Sequence, residues 1–361
     1  MTGKRNFDFL RNLKPIIFWY GFPVCALLLK KVVDEFKENI IICGTKTETL
    51  YKGLEKILGH NIIWFNNPND IWKRRKEFFD RNLIIHSGWS FPGWLKYDRL
   101  MRDHYKAKIV VMADNRYRNN LRQKIGSIWF RLVLKKYFDA VLVPGIEGKK
   151  LMKFLGMDES KIFTGLYGAY EGIYRETNPI EKRRQEFLFV GQLIKRKSID
   201  ILIKAFNKYK QKGGFWNLRI IGEGPLKNIC QGEGIIHEKF LQPHIVAQRM
   251  NNARVLILPS RDDNWGTVVC EAAACGMHLI TSKNVGASAD IIKNGVNGII
   301  IEKIDENNIQ KAFFSYENIS EIKLKEGSKI SKLIAKRYNS ENFLETFKKM
   351  VENLFPLSLN N

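Results

Sequence analysis

The sequence predicts an α/β protein in which parallel β-sheets are covered by helices, and three observations support this prediction. Short apolar runs rich in Ile and Val alternate along the chain with longer amphipathic segments. Runs of this kind are typical of strands buried on both faces, and their alternation with helices indicates βαβ units. The chain has 361 residues, which is enough for two domains. Hydrophobic residues make up 45% of it, which argues against a disordered chain.

The candidate strands fall into two series. The first contains PIIFWY, NIIICG, NIIWF, NLIIHS, AKIVVM and AVLVPG, and the second contains EFLFVG, LRIIGEG, RVLILPS, MHLITS and NGIIIE. Between them, residues 174–185 carry a proline and a cluster of charges, which is typical of a linker. We therefore predict two Rossmann-like domains, at residues 1–176 and 185–340, with parallel sheets that face each other across a cleft. A C-terminal helix near residues 341–356 is free to pack back on the first domain.

The apolar run PIIFWYGFPVCALLLKK lies close to the N-terminus and follows a basic stretch, as a signal peptide would. Gly21 and Pro23 interrupt the run, no small-residue cleavage site follows it, and it is too short to span a bilayer. We therefore predict a buried strand at Ile16–Tyr20, a turn at Gly21–Pro23 and a helix after the turn.

The composition is strongly basic, with a formal net charge of +23 and a pI near 9.7. This excess predicts a polyanionic partner, which could be nucleic acid, an anionic membrane or a phosphorylated substrate. The five cysteines form no CxxC pair, so reduced thiols in a cytosolic protein are the simplest interpretation. The six histidines show no metal-ligand spacing.

Residues 115–138 interleave basic and aromatic side chains and permit two hypotheses. One face of a helix is shared by Leu121, Ile125, Ile128, Trp129, Leu132 and Val133. The simpler hypothesis is that this apolar face covers a sheet and that the basic residues are solvated. The other is that the basic residues, which include Arg122, Arg131, Lys135 and Lys136, grip anionic lipid headgroups.

The stretch LPSRDDNWGTVVCEAAACGMHLITS, residues 258–282, contains the candidate active site. It predicts a buried strand, then a loop, then an alanine-rich helix that Gly276 ends. Loops at the carboxyl ends of parallel strands are where open α/β sheets bind ligands. Gly266 lies just before the helix, where a phosphate can approach the backbone and the unpaired first-turn N–H groups.

Two acidic residues flank this turn. Asp263 in the loop can accept hydrogen bonds from hydroxyl groups at the helix mouth, and Glu271 can accept both hydroxyls of a ribose. The alternative is that Asp263 is an N-terminal cap and Glu271 a surface helix residue. Earlier in the chain, FLFVGQLIKRKSIDILIKAF predicts a strand, a glycine-containing loop and a helix, with Lys197 near the helix start. Lys197 can meet a diphosphate as a point charge, or it can be one more solvated lysine. No Walker lysine motif occurs, which argues against a P-loop NTPase.

Taken in order, these segments resemble the glycosyltransferase family 4 group of retaining, nucleotide-sugar-dependent enzymes with the GT-B fold. The resemblance covers nearly all of residues 186–302. Its five matching elements are FVGQLIKRKSIDILIKAF, LRIIGEGPL, HEKFLQPHIVAQRMNNARVLILPSR, DNWGTVVCEAAACGMHLITS and VGASADIIKNGVNGIII.

The resemblance implies a role for each candidate residue. The family's E-x7-E motif falls on Asp263 and Glu271, which would hold the donor sugar and the ribose hydroxyls respectively. Lys197 would bind the diphosphate. The remaining donor-binding positions would be Gly21, Gln192, Phe240, Leu241, Asn264, Trp265, Gly266 and Thr267; Phe240 and Leu241 would lie beside the base, and the residues of 264–267 would act through their backbone.

The sequence departs from the family at several positions. Gln192 stands where Arg is usual, Ser198 where Gly is usual, and Tyr170 where Asp is usual. In the first half, WYGFPVC replaces a glycine-rich loop, and VMADNRY places Asp114 where a histidine is usual. We include Asp114 with Asp263, Glu271 and Lys197 as the candidate catalytic residues.

The predicted function is transfer of a hexosyl unit, with retention, from a UDP- or GDP-sugar to a glycan or lipid-linked glycan acceptor in cell-surface polysaccharide or lipopolysaccharide synthesis. We expect no cofactor, no metal and no nucleic-acid partner. We expect a cytoplasmic protein that associates with an anionic membrane surface, at the inner face of the plasma membrane. Two alternatives stay open: a non-enzymatic basic binder of nucleic acid or anionic membrane, and a degenerate transferase that binds nucleotide-sugar without turnover.

Overall fold

The computed structural model describes residues 12–46 and 51–356, and these form two compact units. Unit 1 combines two segments of the described chain, one that ends at Tyr167 and one that begins at Ser340. Unit 2 is the continuous segment between them, from Gly168 to Asn339. The segment that the sequence predicts as a linker lies inside unit 2. There the buried guanidinium group of Arg183 donates a 2.7 Å hydrogen bond to the carbonyl of Cys275.

Unit 1 is built on a parallel sheet of seven strands in the order β3-β2-β1-β4-β5-β6-β7. The strands are β1 Pro15–Trp19, β2 Ile41–Thr45, β3 Ile62–Phe65, β4 Leu83–Ser87, β5 Lys108–Met112, β6 Ala140–Val143 and β7 Ile162–Thr164. The helices between them are α1 Lys30–Phe36, α2 Leu54–Leu58, α3 Ile71–Arg74, α4 Pro92–Tyr105, α5 Leu121–Trp129 and α6 Ile146–Phe154.

Unit 2 is built on a parallel sheet of six strands in the order β10-β9-β8-β11-β12-β13. The strands are β8 Arg184–Val190, β9 Asn217–Ile221, β10 Ile235–Glu238, β11 Ala253–Leu258, β12 His278–Ser282 and β13 Gly298–Ile301. The helices are α7 Ile199–Gln211, α8 Pro243–Asn252, α9 Thr267–Ala274, α10 Ser288–Ile291, α11 Glu306–Glu317 and α12 Glu321–Ala335.

The last described helix, α13 Ser340–Leu354, belongs to unit 1. It packs against α1, where the rings of Phe36 and Phe347 lie 5.4 Å apart. The two sheets confirm the predicted α/β class with two Rossmann-like domains. In each unit the first strand pairs with both the second and the fourth, so the strand order reverses beside it, as in a doubly wound fold.

The start of the chain forms the predicted strand and turn. Ile16, Ile17 and Phe18 of β1 are buried, and the apolar run forms an interior strand of the sheet, between β2 and β4. Gly21 turns the chain with φ 70°, and its N–H donates a 2.7 Å hydrogen bond to Oγ1 of Thr45. The predicted helix begins as a 3-10 helix at Val24–Leu29 and continues as α1. The first part of the basic stretch before it lies outside the described residues.

Of the thirteen strands within the described residues, eleven coincide with predicted apolar runs, and the two exceptions are β7 and β10. Both lie at the edge of a sheet. Thr164 at the end of β7 is exposed, and every residue of β10 retains some exposed surface. A strand with one covered side does not need a continuous apolar run, so its sequence carries a weaker signal.

The helix α5 and the turns after it contradict the simpler hypothesis for residues 115–138. The face predicted to cover the sheet is exposed, and its members are Leu121 at 72%, Ile125 at 62%, Ile128 at 61%, Trp129 at 49%, Leu132 at 73% and Val133 at 38%. The chain instead buries Ser127, Phe130 and Leu134. Residues 130–134 form a π-helical turn, followed by a 3-10 turn over residues 135–137.

All five cysteines are buried and carry free thiols: Cys25, Cys43, Cys230, Cys270 and Cys275. Burial raises the pKa of the Cys230 thiol to about 11 and that of Cys275 to about 12. In the described parts of the chain, every helix is too short or too polar to cross a membrane.

Candidate active site

The candidate site of unit 2 lies where the strand order of its sheet reverses, at the carboxyl ends of β8 and β11. The loop after β8 leads to α7, and the loop after β11 leads to α9. The two loops are joined by backbone contacts. The N–H of Arg261 donates a 2.8 Å hydrogen bond to the carbonyl of Arg196, and the guanidinium group of Arg196 donates a 3.0 Å bond to the carbonyl of Asp262.

A bidentate ion pair reinforces this junction. The guanidinium group of Arg261 donates two hydrogen bonds of 2.9 Å to the carboxylate of Asp200, in the first turn of α7. These bonds hold the pKa of Asp200 below its usual range. Two parallel bonds fix both position and orientation, so the loop of α9 is held to the start of α7.

Lys197 and Asp263 meet at the centre of the junction. The ammonium group of Lys197 donates a hydrogen bond to Oδ2 of Asp263. Only 13% of the Lys197 side chain and 11% of the Asp263 side chain are exposed. Neither is therefore a solvated surface residue, and the residues proposed for the diphosphate and for the donor sugar are direct neighbours.

The backbone of Asp263 is fixed by the loop that follows β12. Its N–H donates to the carbonyl of Asn284 and its carbonyl accepts from the N–H of Gly286, both at 3.1 Å. Residue 286 must be glycine for this contact, because a Cβ there would lie 2.0 Å from the carbonyl oxygen of Asn264. The position of Asp263 therefore depends on a loop that follows a different strand.

Helix α9 begins beside this carboxylate. Its N-cap is Gly266, with φ 85° in the left-handed region, so Asp263 is not the cap. A Cβ on Gly266 would lie 2.8 Å from Cγ1 of Val285 and 3.5 Å from Oδ2 of Asp263. The Asp263 carboxylate thus lies close to the positive end of the helix, where N–H groups favour an anion.

Trp265 supports the loop with its ring. The ring is buried and packs 5.7 Å from the ring of Tyr338, and the Trp265 carbonyl accepts a 2.8 Å hydrogen bond from the N–H of Ala287. A buried ring cannot contact a ligand at the loop surface. Any donor contact of Trp265 would therefore use its backbone, as would those of the adjoining Asn264 and Thr267.

Glu271 lies one turn into α9, about 6 Å along the axis from Thr267. The residue keeps some exposed surface, but the surrounding chain removes most water from its carboxyl group. This desolvation raises the pKa of Glu271 to about 7, and a hydrogen bond from Tyr174 opposes the rise. The residue is only partly exposed, so Glu271 differs from the fully solvated surface residue of the alternative.

Three other donor-binding candidates lie on the same edge of the unit 2 sheet. Phe240 and Leu241 follow β10, with 47% of Phe240 exposed and Leu241 half-buried. Gln192 is exposed in the loop after β8. In that loop Ser198 is fully buried with φ 58°, a conformation that glycine adopts without strain. The left-handed conformation at position 198 is one that favours glycine, which is the usual residue at this position in the family that the chain resembles.

Asp114 and Gly21 belong to unit 1. Asp114 follows β5 and is half-buried, and its Oδ2 accepts a 3.4 Å hydrogen bond from the hydroxyl of Tyr167. Gly21 follows β1, so both residues lie at the carboxyl edge of the unit 1 sheet. The structure brings Lys197 together with Asp263, and it places Asp114 in the other unit.

Comparison with known proteins identifies the class of enzyme. Residues 171–326, which lie within unit 2, match the family model described as glycosyl transferases group 1. The chain contains a glycosyltransferase domain that matches this group. The match contains Lys197, Asp263 and Glu271, and it also contains Tyr174.

This glycosyltransferase is similar to proteins from several organisms. It is 28% identical to an uncharacterized glycosyltransferase of Methanocaldococcus jannaschii, over 96% of this chain and 99% of that protein. It is 29% identical to the capsular polysaccharide biosynthesis glycosyltransferase CapM of Staphylococcus aureus, over 55% of this chain and 52% of CapM. The fold is that of Anabaena HepE in its complex with UDP and glucose, with a TM-score of 0.74, 13% identity and coverage of 94% of this chain and 99% of HepE.

Two features of the glycosyltransferase could not be read from its sequence motifs. Tyr174 donates to Glu271 from a distant part of the chain, and Gly286 fixes the Asp263 loop. Within residues 12–46 and 51–356, no cluster of three or more His, Cys, Asp or Glu side chains is arranged to hold a metal ion.

Proposed function

We propose that this glycosyltransferase moves a hexosyl unit from a UDP- or GDP-sugar to a glycan or lipid-linked glycan acceptor, with retention of the anomeric configuration. The observation that carries the proposal is the contact between Lys197 and Asp263 at the start of α9. The site suits a ligand that has both phosphate and hydroxyl groups. A cation and a helix N-terminus can bind phosphate, and the neighbouring carboxylate can accept hydrogen bonds from hydroxyl groups.

The diphosphate would bind between Lys197 and the first turn of α9. The helix N-terminus offers N–H groups and a positive partial charge, and Lys197 adds a full charge. Asp263 balances that charge in the structure. On donor binding the phosphates would replace Asp263 as the partner of Lys197, and the carboxylate would then accept hydrogen bonds from sugar hydroxyls.

Glu271 would bind the ribose. A carboxylate can accept both ribose hydroxyls, whereas a protonated carboxyl group has less acceptor capacity. With a pKa of about 7, the Glu271 carboxyl group titrates close to neutral pH. Donor binding would select the ionised form, and the hydrogen bond from Tyr174 would help to hold it.

The reaction would break the bond between the anomeric carbon and the diphosphate oxygen. The acceptor hydroxyl oxygen would form its bond to the same carbon and on the same face, and its proton would pass to the departing phosphate. Negative charge grows on the diphosphate in the transition state, so the preorganised charges of Lys197 and the helix N-terminus would lower the barrier. Asp114 would act from the acceptor side.

Cell-surface polysaccharide or lipopolysaccharide synthesis is the proposed setting, at the inner face of the plasma membrane. The similarity to CapM, whose name refers to capsular polysaccharide, supports an acceptor of the glycan class. The complex of HepE with UDP and glucose supports a uridine diphosphate donor.

The test is a panel of UDP- and GDP-sugars with the purified full-length protein, read as release of nucleoside diphosphate. We expect turnover of at least one donor and its loss in Glu271→Ala. Glu302→Ala is the matched control, because the Glu302 side chain is 76% exposed and pairs with the exposed residue Lys283. Normal turnover by Glu271→Ala would refute the site, and donor binding without turnover in the wild type would favour the degenerate transferase. Tight nucleic-acid binding without any donor binding would favour the non-enzymatic alternative.

A further inference from the structure

The surface of α5 and the turn after it carries an apolar ridge, formed by Leu121, Ile125, Ile128, Trp129, Leu132 and Val133. All six side chains are exposed, by 38% to 73%. At about 100° per residue, the four members on α5 fall within roughly 100° of arc, on the side opposite to the buried Ser127. The ridge therefore points away from unit 1.

Basic residues are interspersed with the ridge residues along the chain. Residues 115–138 contain no Asp or Glu and seven cations, which are Arg116, Arg118, Arg122, Lys124, Arg131, Lys135 and Lys136. Gln123 joins the basic loop to the helix, because its side chain accepts a 2.8 Å hydrogen bond from the N–H of Arg118 and donates one of 2.8 Å to the carbonyl of Arg116. The loop and the ridge thus form one ordered surface.

The ridge is neither a typical solvent-facing helix surface nor part of the buried core. A solvated helix face is normally polar, and contiguous exposed apolar patches on proteins mark interaction surfaces. An apolar stripe that includes Trp and is bordered by Lys and Arg matches helices that lie in the plane of a membrane interface. Residues 115–138 contain no acidic residue, which reduces the repulsion that phosphate headgroups meet there; Asp158, from the chain after α6, pairs with Lys135 at 3.4 Å.

We propose that the apolar ridge docks unit 1 on an anionic phospholipid bilayer. The ridge side chains enter the boundary between headgroups and acyl chains, and the surrounding cations contact lipid phosphates. The charge of the segment selects this occupant, because a bilayer offers apolar and anionic chemistry side by side over an extended surface. The proposal concerns unit 1 alone and does not depend on donor binding in unit 2.

The test is flotation of the purified full-length chain with vesicles, without any nucleotide-sugar. We expect binding to phosphatidylcholine vesicles that contain phosphatidylglycerol, roughly tenfold weaker binding to phosphatidylcholine alone, and weakening of the first by salt. The variants Ile128→Glu and Leu132→Glu are expected to reduce the affinity for the anionic vesicles by tenfold or more. Both side chains are exposed, so the thermal unfolding temperature of each variant should match the wild type.

The matched control is Ile322→Glu on α12 of unit 2, where Ile322 is 71% exposed. It adds the same negative charge on the other unit and should leave vesicle binding close to the wild type. A second pair of variants, Arg122→Glu and Lys124→Glu, keeps the ridge and changes only its border. These should weaken binding and flatten its dependence on salt.

Three results would overturn the proposal. The first is equal vesicle binding by Ile128→Glu, Leu132→Glu and Ile322→Glu. The second is no vesicle binding by a wild-type protein that forms a dimer in light scattering, with the dimer dissociated by Leu132→Glu; the ridge would then bind a second copy. The third is ridge-dependent binding to RNA or DNA but not to vesicles.

The vesicle test and the proposed transfer reaction are independent, because the vesicle test measures no turnover. Failure of docking would leave the proposed reaction unaffected, and failure of the reaction would leave docking unaffected.

Discussion

Lys197 and Asp263 form a hydrogen-bonded ion pair that joins the loop after β8 to the loop after β11. Both side chains are largely buried, and the carboxylate lies close to the N-terminus of α9. The positive N-terminal end of α9 affects the two residues differently, because it stabilises the anion Asp263 and destabilises the cation Lys197. This asymmetry predicts different consequences when either partner is removed.

Asp263→Ala should lower the free energy of unfolding more than Lys197→Ala. Loss of Asp263 leaves a largely buried cation beside the positive helix end, whereas loss of Lys197 leaves an anion that the helix end stabilises. The double variant should be less destabilised than the sum of the two by about 0.5–3 kcal/mol. Urea unfolding of the four proteins measures this coupling, and strict additivity would contradict the contact.

Lys197→Ala should also lower kcat by roughly 10²–10³-fold, because comparable losses follow removal of one preorganised group that stabilises transition-state charge. Release of nucleoside diphosphate at saturating donor measures the effect. Lys283→Ala is a suitable control, since the Lys283 side chain is 57% exposed in the same unit. Equal loss in both variants would show that general charge, rather than the position of Lys197, matters.

Glu271→Gln should stabilise the protein at alkaline pH and not at acid pH. The pKa of Glu271 is about 7 in the folded state and near 4.5 when unfolded, so the folded state binds the extra proton between these values. The stability that the neutral carboxyl group provides is present below about pH 4.5 and is lost as pH rises through about 7. Glutamine does not ionise, so the variant should gain at most about 3 kcal/mol over the wild type above that range.

The measurement for Glu271→Gln is the difference in unfolding temperature from the wild type at about pH 5 and about pH 8. The difference should grow with pH. Glu302→Gln supplies the control, because an exposed carboxylate should give a small difference at both values. A difference for Glu271→Gln that does not change with pH would mean that its carboxyl group is not desolvated.

Tyr174→Phe should raise the pH at which donor binding reaches half of its maximum. The hydroxyl of Tyr174 lowers the pKa of Glu271, so its loss raises that pKa further and the ionised form appears only at higher pH. Calorimetric titration with UDP across pH measures the midpoint. Tyr316→Phe tests whether any buried tyrosine has this effect, since its hydroxyl lies by Nδ1 of His278 instead. Identical profiles for wild type and Tyr174→Phe would remove Tyr174 from the site.

Gly286→Ala should weaken donor binding by at least tenfold and destabilise the protein by about 1–3 kcal/mol. The added methyl group would lie 2.0 Å from the carbonyl of Asn264, so the Asp263 loop has to move. Gly126→Ala is the control, because a Cβ there meets nothing within 4 Å and alanine suits a helix interior. Unchanged donor affinity in Gly286→Ala would mean that the loop tolerates the shift.

Chelation should not affect turnover. If Lys197 and the helix N-terminus supply the positive field for the diphosphate, EDTA should leave kcat unchanged and added Mg²⁺ or Mn²⁺ should not raise it. The same assay measures both. A strong rise on adding either ion would mean that the field of Lys197 is insufficient alone.

The strands that the sequence predicts best are those that the sheets bury most. Ile16 and Phe18 lie in an apolar run because both faces of β1 are covered. The edge strands β3 and β13 keep an apolar run and were predicted, whereas the edge strand β7 has three residues and the edge strand β10 keeps some exposed surface at every position. Periodicity along residues 121–133 correctly grouped the apolar side chains on one face. It could not show that this face points outward, because a repeat describes neighbours on a helix and not what covers them.

The candidate site divides in the same way. Lys197 and Asp263 follow strand signals, and parallel strands bring their carboxyl-end loops to one edge, so their proximity could be anticipated. Tyr174 lies far from Glu271 in the chain and belongs to no repeating pattern. The requirement for glycine at position 286 depends on a carbonyl of another loop. Contacts of this kind arise only when the chain is folded.

The burial of all five thiols makes the native chain a convenient background for site-directed probes. Maleimides react with accessible thiolates, and all five of these sulfurs are buried. A single cysteine introduced at Leu132 should therefore take a polarity-sensitive fluorophore with no need to delete the natural ones first. Its emission would report directly on whether that position leaves water when lipid is added.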